Sequence, residues 1–340
     1  MADGACWYIG LDEAGYGPTM GPLVIAATLW QAPAAAPPDT WYSRLAPAVL
    51  EPSACSGRKH AAVSSDGAPP PCVIGDSKQV YQSGKGWARL EHSALVLTRF
   101  CGVEADTWRE LVRRLDGRAF GDFADLPWLA RFDTSLPLPP AEETARDAVA
   151  ASATAFRRVA DASGLRLRDV RCRLLCEPRF NRLVAEHESK GRLLSLETLT
   201  LARELIESCD DDSPGRVYCD KHGGRDRYLD VLYETLSPEW IEVIGEGREE
   251  SRYRLGRPFE GWEIRFTARG DRLFPVAAAS ILAKYLREAA MRAVNQFWAA
   301  RIPGLAPTAG YPEDARRMLQ AIEAMRASLG IPLDWVRRRK

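Results

Sequence analysis

A chain of 340 residues, 46% hydrophobic and 27% charged, has an ordinary globular composition and can bury a substantial core. It could do so as one large domain with insertions or as two smaller ones. Lys plus Arg and Asp plus Glu both number 46, so the formal charge is zero. That balance argues against a uniformly basic protein that coats nucleic acid, and leaves room for a local basic groove around an acidic centre.

The N-terminus has no basic stretch leading into an apolar run, and no apolar segment reaches membrane-spanning length. A cytoplasmic chain with no membrane association is therefore expected. The eight cysteines are scattered without a CxxC pair, and Cys172 and Cys176 have no second ligand pair between them. Reduced thiols are the better reading than a structural zinc site.

Residues 6–12 (CWYIGLD) read as a buried strand that ends on the acidic pair Asp12–Glu13. Residues 22–30 (PLVIAATLW) are a second β-prone run. The segment from Glu13 to Gly21 contains three glycines and a proline, which predicts a tight hairpin connection with Asp12 and Glu13 at its turn end. Residues 31–72, rich in Ala, Pro, Ser and Gly, suggest a surface excursion that is partly disordered. A helix is predicted over 85–103, and 104–144 reads as a proline-punctuated insertion.

Helical spacing returns over 145–162, followed by a strand at 170–176. Residues 180–209 predict a helix pair, or one helix with a loop near Lys190–Gly191. A short strand at 216–220 ends on Asp220; a helix over 226–236 and a strand at 240–245 follow. Residues 251–268 predict a hairpin broken at Gly256–Gly261, and Asp271 comes just after it. The clearest helix spans 276–300, and a last one spans 312–328 before the basic tail Arg337–Lys340. Strands and helices interleave without a strict βα repeat, so an α/β sheet with an antiparallel portion is the expected architecture.

The chemistry concentrates where aspartates end strands: Asp12 with Glu13, Asp220 and Asp271. A sheet brings strand ends that are distant in sequence to one edge. Carboxylates clustered there repel unless cations neutralise them, and hard divalent ions prefer such oxygen ligands. Strand-terminal aspartates also arise as turn formers or helix caps, so this pattern alone leaves both readings open.

The segment Asp12–Glu13–Ala14–Gly15–Tyr16–Gly17–Pro18, followed by Gly21–Pro22–Leu23–Val24, resembles the signature opening of the type 2 ribonucleases H (ribonuclease HII), D-E-A-G-R-G-P then G-P-V-V. Asp76–Ser77–Lys78 is similar to the family's D-S-K segment, and Asp220 falls where the family ends a strand on aspartate. Ala278–Ala279–Ser280–Ile281–Leu282–Ala283–Lys284, with Arg287–Glu288, resembles its A-A-S-I-x-A-K helix and R-D pair. Gly310–Tyr311 resembles its late G-Y motif. The stretches that match poorly are 31–72 and 104–168.

The resemblance implies a ribonuclease H-like mixed sheet flanked by helices. A catalytic domain over 1–300 would carry insertions at 31–72 and 104–168, and a C-terminal helical segment with the basic tail would span 301–340. It implies a divalent-metal-dependent endoribonuclease that cuts the RNA strand of RNA–DNA hybrids 5′ of a ribonucleotide, leaving a 3′-hydroxyl and a 5′-phosphate. Asp12, Glu13, Asp220 and Asp271 would hold two ions, Mg²⁺ or Mn²⁺. The partner would be a hybrid or a ribonucleotide-containing duplex; the sequence leaves protein partners and oligomeric state open, with a monomer compatible with it.

Gly15, Tyr16 and Gly17 would lie against the ribose, whose 2′-hydroxyl distinguishes RNA from DNA. Tyr311 would meet the same sugar, with packing of the last helix as the alternative. Lys78, Ser280 and Lys284 would contact a phosphate or support the carboxylates; Lys284 could equally be a solvated helix residue. The basic tail would touch the duplex backbone or simply be solvated.

The chain departs from the family pattern around this core. Tyr16 stands where the family has arginine, and Thr308–Ala309 stand where it has a His-Lys pair. Lys221–His222–Gly223–Gly224–Arg225 replace the glycine after Asp220. Lys221, His222 and Arg225 could restore phosphate contacts or form a surface turn. These departures keep open a relative of the same fold acting on another nucleic acid, and a noncatalytic nucleic-acid-binding module. The four histidines make no coherent zinc set.

Overall fold

In the computed structural model, which describes residues 4–55, 68–82, 85–118, 125–139 and 144–339, the first strand β1 (Ala5–Ala14) runs through the middle of the sheet. Its apolar run is continuous because both faces are covered. Cys6 and Tyr8 point into one core, and Trp7, Ile9 and Leu11 into the other. The remaining strands are β2 (Leu23–Pro33), β3 (Val49–Leu50), β4 (Cys72–Val73), β5 (Arg166–Leu175), β6 (Gly215–Asp220), β7 (Ile241–Glu246), β8 (Glu250–Leu255) and β9 (Trp262–Thr267).

Seven of them form one sheet in the order β5-β2-β1-β6-β9-β8-β7, and β3 and β4 make a separate parallel pair. β2 is antiparallel to both β1 and β5; β6 is parallel to β1, and β9 to β6. β7, β8 and β9 follow as an antiparallel ribbon. This is the expected α/β architecture with an antiparallel portion, a mixed sheet flanked by helices with a C-terminal helical segment.

Helices Trp87–Phe100, Ala145–Ala162 and Phe274–Ala299 build the core on one face. Glu177–His187, Lys190–Ile206 and Leu229–Leu236 cover the other. The break in the helix pair falls just before Lys190–Gly191, at Glu188, which is left-handed with φ 60°, and at Ser189, whose hydroxyl caps the second helix. Among the described residues no helix is long and apolar enough to cross a membrane.

Three segments are more deeply integrated than their composition suggests. Within 31–72, Trp41, Leu45, Val49 and Cys72 are fully buried, with Trp41 edge-on to Trp30 at 5.5 Å between centroids. Its Ala- and Pro-rich stretches surround these anchors, so it is not a surface excursion as a whole; 56–67 lie outside the described residues. The 104–168 insertion supplies Trp108, Leu111 and Phe156 to the same core, and the last three residues of that range already belong to β5. Residues 119–124 and 140–143 of it lie outside the described residues. The helix Pro312–Ser328 buries Ala315, Met318 and Ile322 against the body of the protein.

Candidate active site

The registers explain why acids far apart in sequence meet. Leu11 pairs with Cys219 and Cys219 with Phe266, so parallel β1, β6 and β9 end together at one edge. One residue further on, β1 carries Asp12 and β6 carries Asp220. Asp271 sits in the single turn Gly270–Arg272 that follows β9. That turn is held by the Gly270 N–H, which donates to Asp220 Oδ1 at 2.8 Å. A Cβ at Gly270 would come within 3.2 Å of the Asp220 backbone, so glycine permits the close approach.

Strand alternation turns Asp12 toward the helix Phe274–Ala299, where the Ser280 hydroxyl hydrogen-bonds its carboxyl. Asp12 Oδ1 also accepts the Glu13 N–H at 2.8 Å. Asp12, Glu13, Asp220, Asp271, Lys78 and Ser280 all line one cleft of about 790 Å³. Its opposite wall comes from segment 31–72, through Asp39 and Glu51, and from the short helix Ser77–Val80. Asp76 caps that helix by accepting the Lys78 N–H at 2.9 Å, and the Ser280 and Ser77 hydroxyl oxygens lie 3.1 Å apart, within hydrogen-bond reach.

Crowding of like charge in a partly dry cleft is visible in the acid strengths. Burial, reinforced by Asp220 and Asp271 and opposed by the Ser280 hydrogen bond, pushes Asp12 up to about 7. Burial and then Asp12 and Asp220 raise Glu13 well above the usual carboxylate range, with Lys78 opposing. Asp271 is raised by burial and by Asp76 and Asp220, against Lys78 and Arg272.

Such a set favours a shared cation. Carboxylates flanked by serine hydroxyls, with no histidine or cysteine lining the cleft among the described residues, suit a hard divalent ion such as Mg²⁺ or Mn²⁺. Among the described residues no three His, Cys, Asp or Glu side chains are grouped tightly enough to hold a metal as they stand. The donor chemistry fits, and the carboxylates line one cleft without closing on a common point.

Next to Glu13 runs the glycine turn. Gly15 has φ 92°, and a Cβ there would fall 2.5 Å from Arg287 Nε. The turn is tied to the Tyr311 segment by the Thr19 and Met20 N–H groups, which donate to the Gly310 carbonyl at 2.8 and 3.2 Å. Gly17 faces the ring of Tyr311, which is half exposed. Gly15, Gly17 and Tyr311 are thus brought together beside the acids. Tyr16 turns toward the helix Lys190–Ile206, with Lys190 Nζ 4.7 Å from its ring centroid.

Four of the residues singled out in the sequence take up other positions. Lys221 Nζ is almost fully buried and donates to Asp226, Ser251 and the Gly247 carbonyl at 2.6 to 3.0 Å. His222 is buried, its Nδ1 3.0 Å from Ser195 Oγ, and burial drives its pKa down to about 3. Arg225 pairs with Asp230 at 3.2 Å, and Lys284 with Glu288 at 2.9 Å. Conversely, Arg269 and Arg272 line the cleft on either side of Asp271, although sequence reasoning did not select them. Their adjacency to Asp271 was the available signal.

No family model matches the chain, and no curated protein does. Among solved structures it is similar to the ribonuclease H2 from Pyrococcus horikoshii OT3, at 15% identity over 97% of this chain and 92% of that one, with a TM-score of 0.40. It is also similar to the ribonuclease HII of Archaeoglobus fulgidus, solved as a PCNA complex: 15% identity, 98% and 94% of the two chains, TM-score 0.39. A third likeness is to Bst-RNase HIII in complex with Mn²⁺, at 15% identity over 94% of this chain and 64% of that one, TM-score 0.36.

Proposed function

We propose that this chain is a divalent-metal-dependent endoribonuclease that cleaves the RNA strand of RNA–DNA hybrids 5′ of a ribonucleotide, leaving a 3′-hydroxyl and a 5′-phosphate. The observation that carries this reading is the meeting of Asp12, Glu13, Asp220 and Asp271 in one cleft, with the glycine turn following directly on Glu13. Those four carboxylates would hold two ions, Mg²⁺ or Mn²⁺, which when bound supply Lewis acidity toward water and phosphate.

The protein's own groups do the rest. Lys78, Arg269 and Arg272 set positive charge around the acids, where a phosphodiester would otherwise be repelled. Ser280 holds Asp12 in place through the long helix. Gly17, with open space beside the half-exposed ring of Tyr311, would let the backbone approach a 2′-hydroxyl while that ring offers a face to the same ribose, and Gly15 lets the turn pack against Arg287 and Pro22.

A relative of this fold acting on a different nucleic acid is favoured by one feature. Tyr16, in the place of the family's arginine, is engaged with Lys190 and leaves the turn without a guanidinium of its own. The test is incubation with Mg²⁺ or Mn²⁺ and three labelled duplexes: an RNA–DNA hybrid, DNA with one embedded ribonucleotide, and all-DNA. Cleavage that requires ribose and disappears in Asp12→Asn and Asp220→Asn supports the ribonuclease. Metal-dependent cleavage that ignores ribose supports the second reading. Binding without any cleavage defeats both and leaves a binding module.

A further inference from the structure

The C-terminal segment is built into the protein beneath the glycine turn. Asn181 Nδ2 donates to the carbonyls of Asp334 and Arg337 at 3.0 and 2.9 Å, and the Arg339 N–H donates back to Asn181 Oδ1 at 2.7 Å. This clamp delivers Arg338 inward, where the residue is 3% exposed with its guanidinium 4.7 Å from the Phe180 ring centroid.

Arg338 grips the turn twice. Its Nη2 donates to the Gly15 carbonyl at 2.6 Å, and its backbone N–H donates to the Thr19 carbonyl at 2.8 Å. The far end of the same turn is held by Glu177, a buried carboxylate that accepts the Gly21 N–H at 2.7 Å. Burying a guanidinium is costly unless its charge is used, and Arg338 Nε and Nη1 find no hydrogen-bond partner among the described residues. The bond it does make is charge-assisted and lands on the carbonyl of the residue that opens the turn. Fixing that carbonyl fixes the peptide plane joining Gly15 to Tyr16.

We propose that Arg338 is a positioning residue for substrate selection: by holding the Gly15 carbonyl it gives the turn Gly15–Gly17 one backbone geometry toward a 2′-hydroxyl. The inference rests on the ribonuclease reading of the cleft. It assigns Arg338 a role inside the protein, where the sequence suggested a duplex contact or a solvated tail.

The test compares the dissociation constants of an RNA–DNA hybrid and a DNA duplex of the same sequence, with kcat and KM on the hybrid. Arg338→Met should cost about tenfold in the hybrid-over-DNA preference, the size of one charge-assisted contact. Arg338→Lys, which keeps one donor in reach of Gly15, should recover most of it. Because a ratio does not depend on the fraction of active protein, damage that is merely structural would leave it unchanged. Asn181→Ala, which loosens the clamp without touching the cleft, should lower the preference in the same direction. It decides the matter if Arg338→Met does not fold. A wild-type protein that prefers the hybrid, with the preference unaltered in the folded variants, overturns the role of Arg338 alone. A wild-type protein with no preference overturns the ribonuclease reading and this inference with it.

Discussion

Asp220 Oδ1 accepts the backbone N–H of Gly270, so the carboxylate that ends β6 also holds the turn carrying Asp271. The two functions can be separated. Asp220→Asn keeps an acceptor oxygen for Gly270 while removing a charge from a crowded cleft, and should be as stable as the wild type. Asp220→Ala loses the hydrogen bond as well and should be less stable than Asp220→Asn by about 1 kcal/mol in urea denaturation. Both should lose at least about a hundredfold in hybrid cleavage, since neither restores the carboxylate. An active Asp220→Asn would remove this residue from the proposed machinery.

Lys221 offers the opposite case, a lysine that the sequence places beside the acids and the structure ties into a polar knot. Its ammonium serves Asp226, Ser251 and the Gly247 carbonyl, which tether the loop between β7 and β8 to the end of β6. Lys221→Met should therefore destabilise the fold by about 2 to 3 kcal/mol by stranding those acceptors. Per folded molecule, KM for the hybrid should stay within about twofold of the wild type. A large rise in KM without loss of stability would return Lys221 to the substrate.

What the sequence made legible follows from where periodicity is undisturbed. β1 and the last two long helices, 276–300 and 312–328, were placed within a few residues because their apolar patterns continue through each element. β5 starts at Arg166, earlier than its apolar residues suggest, because the ladder with β2 continues past an irregularity at Leu29/Trp30 to pair Leu167 with Trp30 and Arg166 with Gln31. Trp41 was hidden among alanines and prolines that read as loop, although it fills the space between Trp30 and Phe274. At the cleft, motif and strand-end logic found Asp12, Glu13, Lys78, Asp220, Asp271 and Ser280. Asp39 and Glu51 escaped because they belong to the same loop-like segment. The inward turn of Lys221 escaped because its acceptors at 247 and 251 come from another strand pair.

Glu91 gives a pH dependence with a definite sign. It is buried on the helix Trp87–Phe100, where Oε1 accepts the Leu138 N–H at 2.7 Å and the Tyr285 hydroxyl at 3.2 Å, and Oε2 accepts Trp87 Nε1 at 3.0 Å. Burial outweighs these bonds and the nearby charge of Arg292, raising the carboxyl from 4.5 to about 7. Between those values the native protein keeps a proton that the unfolded chain has released. Its contribution therefore favours folding at low pH and is lost as pH rises through the window, by at most about 3 kcal/mol. Burial moves His222 the other way, so the isolating measurement is the difference between wild type and Glu91→Gln. That difference should change steadily from pH 5 to 7 and level off above. A flat difference would mean that Glu91 is ionised throughout.

Gly10 tests how tightly the site depends on the packing of the sheet. A Cβ at Gly10 would fall 2.1 Å from the carbonyl carbon of Pro275 and 2.4 Å from the nitrogen of Val276, at the start of the helix that carries Ser280. Its cross-strand neighbour Thr28 pins the same point, donating from Oγ1 to the Pro275 carbonyl at 2.9 Å. Gly10→Ala must push backbone against backbone, and should cost about 3 kcal/mol in stability. It should also lower hybrid cleavage per folded molecule, because a displaced helix draws Ser280 from Asp12. Thr28→Val removes the pin and leaves the space unchanged, so it should cost about 1 to 2 kcal/mol while cleavage stays within a few-fold of the wild type. A Gly10→Ala protein with normal stability and activity would show that the helix can shift without consequence for the acids.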